Sequence, residues 1–110
     1  MVTVEKRMTQ SEIEEFLRKP NLARIGTLSR DSSPHVTPIW FLYTNGVVTF
    51  SIGKNTQKAR NLSRDNRVSL CIVEREHPNR TVILNGNAVS LGDTTKEYLL
   101  QISIHFSARR

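Results

Sequence analysis

A polar, cation-rich segment follows the apolar stretch that ends at Ile52, and its side chains could bind an anion. Asn55 or Thr56 can cap a helix that begins there, and Lys54 and Lys58 flank the first turn of that helix. Free backbone N–H groups and a partial positive charge make such a turn favourable for phosphate. The segment therefore predicts a phosphate site where a strand runs into a helix. The side chains with suitable chemistry are Ser51, Thr56, Lys58, Arg60 and Asn61.

Other interpretations of this segment remain open. The charged side chains could form a helix face that only water contacts, and Asn61 could make a local cap instead. The chain carries a net charge of +6, and residues 54–80 hold seven basic side chains against three acidic ones. Nucleic acid could use this charge, but no helix-turn-helix, zinc-finger or RNA-recognition signature accompanies it. A phosphorylated small molecule is the favoured partner, and nucleic acid is not expected.

Pro38 lies in the middle of an apolar stretch, residues 35–43, that is typical of a strand. Proline cannot donate to a β-ladder, so it marks an edge strand or a bulge. The neighbouring backbone groups could then hydrogen-bond the edge of a planar heterocycle, or the strand could be a plain edge strand. Trp40, two residues on, shares the face of Pro38 and would be a core or interface residue more often than a cofactor contact.

The remaining pattern predicts one small domain, residues 1–110, built mainly from strands. A helix begins at Thr9 in a capping box and ends before Pro20. A final helix, capped by Asp93 or Thr94, would place Leu99, Ile102 and Phe106 on one face, and residues 76–79 connect the last two strands. Asn45-Gly46 predicts a hairpin turn. Five strands are predicted, over residues 23–29, 35–43, 47–52, 67–73 and 81–89. Antiparallel strands in this order favour a small barrel, because closure removes exposed edges.

Composition narrows the function. With 37% apolar and 24% charged residues, the chain suits a water-soluble globular protein. No apolar run approaches the roughly 18 residues of a membrane span, and no signal-peptide pattern begins the chain, so a cytoplasmic location is expected. The single cysteine, Cys71, lies in an apolar run and is expected to be a buried small hydrophobe.

The sequence contains no motif that indicates catalysis by side chains. The sequence has no G-x-G-x-x-G, no Walker loop and no G-x-S-x-G. His35, His77 and His105 lie far apart, without a second ligand at metal spacing, so no metal site is expected. An enzyme built on this chain would therefore rely on a bound cofactor for its chemistry.

Three stretches resemble one known family. They follow one another across about residues 22–91, and in chain order they are ARIGTLSRDSSPHVTPIWF, TFSIGKNTQKARNLSRDNRVSLCIV and VILNGNAVSL. They resemble the pyridoxamine 5′-phosphate oxidase-like FMN-binding split-barrel family, especially its deazaflavin-dependent reductase-like branch. The run KARNL-x-RD-x-RVSL is the most specific piece.

The resemblance implies a Greek-key split β-barrel that forms a homodimer with two cofactor sites at the interface. The cofactor would be FMN or, as the alternative, the deazaflavin coenzyme F420. The resemblance places residues 37–40 along the isoalloxazine ring. It places a second group around the ribityl phosphate. The ring residues are Thr37, Pro38, Ile39 and Trp40; the phosphate residues are Ser51, Thr56, Lys58 and Asn61, with Lys54 and Arg60 as additional cations.

The implied function is an oxidoreductase that transfers hydride between the cofactor and a small organic substrate. The alternative is a non-catalytic flavin or haem carrier or sensor on the same scaffold. The family often has Arg or Lys where this chain has Thr56 or Gln57, and members usually add a strand after the final helix, whereas this chain ends at Arg110. A short or truncated member is therefore expected. The C-terminal arginine and histidine pattern of pyridoxamine phosphate oxidation is not recognisable, which argues against that reaction.

Overall fold

Two antiparallel sheets and two short helices make up the fold. The computed structural model describes residues 2–4, 9–19, 22–74 and 81–103, so the predicted connection 76–79 and Phe106 lie outside the described residues. The elements, in chain order, are β1 Val2–Val4, α1 Gln10–Arg18, β2 Leu22–Leu28, β3 Pro34–Trp40, β4 Leu42–Thr44, β5 Val47–Gly53, α2 Gln57–Arg64, β6 Arg67–Val73, β7 Thr81–Asn87, β8 Val89–Asp93 and β9 Glu97–Ser103. Neither described helix, of nine and eight residues, has the length and apolar character to cross a membrane.

The strand order puts the proline-bearing strand at an edge. One sheet has five strands in the order β1-β7-β6-β2-β3, and the other has four in the order β4-β5-β9-β8. Within the first sheet β3 pairs with β2 alone, where Pro38 lies opposite Arg24. The missing N–H of Pro38 therefore costs no bond in the middle of a sheet. The edge position predicted from Pro38 is confirmed.

Local signals account for the first helix and the hairpin. The Thr9 hydroxyl accepts from the Glu12 N–H at 3.1 Å, and the Glu12 carboxylate accepts from the Thr9 N–H at 2.8 Å, which completes the predicted capping box. Asn45 and Gly46 have φ of 49° and 81°, the left-handed values that a tight two-residue turn between β4 and β5 requires. Both predictions are confirmed.

The core lies between the two sheets and under α1. The apolar stripe of α1 is buried, and alternate residues of the strands point inward. Two of the predicted strands turn out to be broken: residues 35–43 form β3 and β4, and residues 81–89 run from β7 into β8. In each case the chain passes from one sheet to the other at a buried residue, Phe41 or Ala88. The apolar alternation continues on both sides of the break, and so the pattern does not reveal it.

The final helix predicted from Asp93 onward is wrong, because these residues form a hairpin. β9 pairs with β5 along its whole length and with β8 on its other side. Leu100 and Ile102 are buried whereas Leu99 is exposed, a period of two instead of the helical period. Thr94, which predicts a helix cap, instead stabilises the turn between β8 and β9, where its hydroxyl accepts from the Glu97 N–H at 3.0 Å.

Candidate functional site

The junction between β5 and α2 is the centre of the candidate site. Of the two predicted caps, Thr56 is the one used: its hydroxyl accepts from the Ala59 N–H at 3.2 Å and donates to the Gly53 carbonyl at 2.7 Å. Among the described residues, no hydrogen bond engages the N–H of Gln57 or of Lys58. The first turn of α2 therefore has backbone donors available for an anion.

Lys58 joins this turn to the edge strand β3. Its Nζ donates to the Thr37 hydroxyl at 3.1 Å, and the side chain is half-buried. Lys58 takes part in none of the ion pairs between described residues. A partly buried ammonium whose partner is a neutral hydroxyl leaves positive charge uncompensated at the junction.

Lys54, in the turn before α2, is differently placed. Its Nζ lies 2.5 Å from the Asp93 carboxylate and 5.1 Å from the centre of the Tyr98 ring. Asp93 balances its charge, and the ring adds a cation–π contact. Lys54 therefore ties the turn to the β8–β9 hairpin instead of presenting a free charge at the start of α2.

Asn61 faces the interior. Its side chain is 0% exposed: Nδ2 donates to the Thr27 hydroxyl at 3.0 Å, and Oδ1 accepts from Gln57 at 2.8 Å and from Arg64 at 3.3 Å. Asn61 thus fastens α2 to β2, and its polar atoms are satisfied within the protein. Arg60 lies on the exposed face of the same helix, where its guanidinium donates to Gln57 at 3.1 Å.

The ring-side residues lie on β3, where side chains alternate between outside and core. Pro38 and Trp40 are exposed, Trp40 at 66%, whereas Ile39 is buried in the core. Trp40 and Ser51 line the same cavity of about 420 Å³. Its other lining residues are Leu17, Arg18, Lys19, Phe41, Leu42, Tyr43, Thr49, Phe50 and Leu99.

Sequence reasoning did not anticipate part of this cavity. The end of α1 and Leu99 both contribute to it. The α1 residues carry no signal beyond that of an ordinary amphipathic helix, and the spacing of Leu99 predicts a helix where the structure has β9. Thr37, Thr56 and Lys58 are brought together at the junction, whereas the polar groups of Lys54, Arg60 and Asn61 are engaged elsewhere.

The comparisons with known proteins agree with this arrangement. The sequence model of the family described as pyridoxamine 5′-phosphate oxidase matches residues 9–106, which is most of the chain. The chain belongs to this family. Membership in the pyridoxamine 5′-phosphate oxidase family confirms the resemblance carried by the three motif stretches, and the two-sheet architecture is that family's split barrel. No curated protein sequence matches the chain.

Several solved structures share the fold. A conserved hypothetical protein from Mycobacterium tuberculosis has a TM-score of 0.77 at 22% identity, over 96% of this chain and 84% of that one. An F420 reductase has a TM-score of 0.74 at 18% identity, over 82% and 90%. A haem-binding protein from Mycobacterium smegmatis has a TM-score of 0.72 at 16% identity, over 88% of this chain and 52% of that one. These TM-scores, at identities below 25%, show a common fold.

Proposed function

We propose that this member of the pyridoxamine 5′-phosphate oxidase family binds FMN or coenzyme F420 and acts as an oxidoreductase on a small organic substrate. The observation that carries the proposal is the uncompensated Lys58 ammonium at the first turn of α2, bonded to Thr37 on the edge strand. Removing a cation from water without a counter-charge is unfavourable, so the junction is suited to an anionic group. A cofactor phosphate supplies that charge.

Different residues at the junction would hold different parts of the cofactor. Thr56, Lys58 and the N–H groups of the first turn would bind the phosphate. Ser51, on β5, lines the cavity together with Trp40 and would add a polar contact to the cofactor from that side. Backbone groups of the edge strand around Thr37 and Pro38 would hold the polar edge of the ring. Asn61 acts indirectly, since its bond to Thr27 keeps α2 in position on β2.

Trp40 belongs to the ring side of the proposed site. It stands 66% exposed beside the 420 Å³ cavity, and the neighbouring Leu42 is 73% exposed. A domain of 110 residues can hardly enclose a three-ring ligand alone, and a second copy would cover this apolar surface. We therefore propose a homodimer with the cofactor at the interface.

The bound cofactor would supply the chemistry, which is hydride transfer to or from its ring. The chain's own residues anchor the phosphate, orient the ring against β3 and exclude water from the reacting face.

A non-catalytic flavin or haem carrier or sensor is the second candidate. It is favoured by the fold shared with the haem-binding protein from Mycobacterium smegmatis and by the apolar character of the cavity, where Phe41 and Phe50 are buried next to Trp40. A carrier would bind its group in the same cavity and show no turnover.

Absorbance titration of the purified protein with FMN, coenzyme F420 and haem tests both candidates. A perturbed flavin or deazaflavin band, saturating at micromolar concentrations or tighter and lost in Lys58→Ala, supports the proposed site. Reduction of the bound cofactor by a nicotinamide donor with turnover supports the oxidoreductase, whereas tight binding without turnover supports the carrier. A folded protein that binds none of the three contradicts both.

A further inference from the structure

A second group of cations lies at the exposed face of α2, next to the first turn that is proposed to hold the cofactor phosphate. Arg30 in the β2–β3 turn and Arg60 and Arg64 on α2, named here the arginine cluster, line one cavity of about 640 Å³. Gln57 and Ser63 complete the lining. Residues 57, 60 and 64 share one face of the helix because they are spaced by three and four. The cluster is therefore built from two elements that converge on one cavity.

Carboxylates close to the cluster in the sequence are bonded to other groups. Asp31 accepts from the N–H and hydroxyl of Ser33 at 3.1 and 2.7 Å, and these bonds lower the pKa of its carboxyl. Asp65 is bonded by Arg67 at 3.0 and 2.7 Å, which lowers the pKa of its carboxyl to about 2, with a weaker contribution from the charge of Arg64. No ion pair between described residues includes a member of the cluster.

Neutral acceptors hold two of the three guanidinium groups in place. Arg64 donates to the Leu28 carbonyl at 2.9 Å and to Asn61 Oδ1 at 3.3 Å. Arg60 donates to Gln57 Oε1 at 3.1 Å. These contacts restrict the side chains without neutralising them, and each guanidinium has five N–H donors in all. The cluster thus presents oriented positive charge, which lowers the entropy lost on binding an anion.

We propose that the arginine cluster binds an oligophosphate group, meaning two or more linked phosphates, either as a free inorganic chain or as part of a nucleotide. Guanidinium groups match phosphate oxygens in paired hydrogen bonds, and three of them balance the charge of linked phosphates. The lining contains no aromatic side chain on which successive bases could stack, which disfavours a single-stranded nucleic acid. The proposal does not depend on the cofactor site, whose cation Lys58 points to Thr37 on β3.

Isothermal titration calorimetry with orthophosphate, pyrophosphate, triphosphate and ATP tests the proposal. We expect affinity to rise at least about tenfold from orthophosphate to triphosphate, because additional charge-assisted hydrogen bonds form. Similar affinities for triphosphate and ATP identify the phosphate chain as the recognised part; much tighter binding of ATP identifies a nucleotide as the ligand. Both results support the site.

Matched variants test which residues bind triphosphate. Arg30→Gln and Arg60→Gln are each expected to weaken triphosphate binding by about fivefold or more, since each removes a charge-assisted contact. Lys96→Gln removes one exposed charge from the β8–β9 turn and should change binding by less than about twofold. Lys58→Ala should leave triphosphate binding intact while FMN or F420 binding falls, which separates this site from the cofactor site. Circular dichroism checks that every variant is folded.

Four results would overturn the inference. They are absence of triphosphate binding at millimolar concentration, equal weakening by Lys96→Gln, displacement of triphosphate by saturating FMN or coenzyme F420, and equal affinity for citrate. A fifth is preferential binding of duplex DNA, with a binding constant that falls with salt concentration as steeply as contact with many phosphates requires. That result would make the cluster part of a nucleic acid interface.

Discussion

The Lys58 ammonium donates to the Thr37 hydroxyl at 3.1 Å, joining the first turn of α2 to the edge strand β3 across 21 residues of sequence. The two residues belong to the two halves of the proposed cofactor site, the phosphate side and the ring side. One hydrogen bond therefore links the two halves directly. A phosphate bound at the start of α2 would accept a hydrogen bond from Lys58, either in place of the neutral Thr37 hydroxyl or together with it. None of the ion pairs between described residues would have to break.

Replacing Lys58 should weaken cofactor binding. We expect Lys58→Ala to cost about 1.5–3 kcal/mol of binding free energy, the scale of a charge-assisted hydrogen bond. The matched control is Lys54→Ala, which should cost clearly less because Asp93 already balances that charge. Fluorescence or absorbance titration with FMN and coenzyme F420 measures both. Equal losses in the two variants, or none in Lys58→Ala, would contradict the assignment of the phosphate to the α2 turn.

Asn61 should matter for stability. Its side chain makes three hydrogen bonds inside the protein, so Asn61→Ala leaves the buried Thr27 hydroxyl and the Gln57 amide without this partner. We expect a loss of about 2–4 kcal/mol in the free energy of unfolding, measured by urea denaturation. Ser63→Ala, on the exposed side of the same helix, serves as the control and should cost less than about 1 kcal/mol. A change in cofactor affinity at unchanged stability would instead give Asn61 a direct role in binding.

Trp40 should be needed for the dimer or the ring site. Its side chain is 66% exposed, so Trp40→Ala should change the stability of the isolated fold little. We expect either a shift from dimer to monomer in light scattering or a loss of at least about tenfold in cofactor affinity. Leu91→Ala, an exposed apolar residue on β8 that does not line the cavity, is the control. A Trp40→Ala protein with unchanged mass and affinity would refute the proposed interface.

The sequence predicts the local parts of this molecule well and its long-range parts less well. The Thr9 capping box, the Asn45-Gly46 turn and the cap at Thr56 depend on neighbouring residues, and each forms as expected. β9 was missed because Leu99 and Ile102 also fit a helical spacing, and only pairing with β5 makes the strand the better solution.

The same distinction applies to the candidate site. The chemistry of Lys58 could be inferred from its position in the first turn, but its bond to Thr37 requires the packing of α2 against the sheet. Nothing local distinguishes Asn61 from the charged residues around it on a polar helix. Its burial follows from contact with Thr27, 34 residues away in the chain, which no local pattern encodes.

The Asp65–Arg67 pair should make stability depend on pH in acid. Bonding by Arg67 lowers the pKa of the Asp65 carboxyl from 3.8 to about 2 in the folded protein. Folding therefore favours the ionised carboxylate, and the resulting stabilisation is complete above the unfolded pKa and disappears as the pH falls through about 2. The difference in unfolding free energy between wild type and Asp65→Asn should be constant above about pH 5 and shrink toward its acid limit near pH 2. Arg67→Gln should show the same pH dependence, because it removes the other half of the pair. Urea denaturation across this range measures the difference, in which the contributions of the other carboxylates cancel. A difference that stays constant down to pH 2 would show that the pair is not formed in solution.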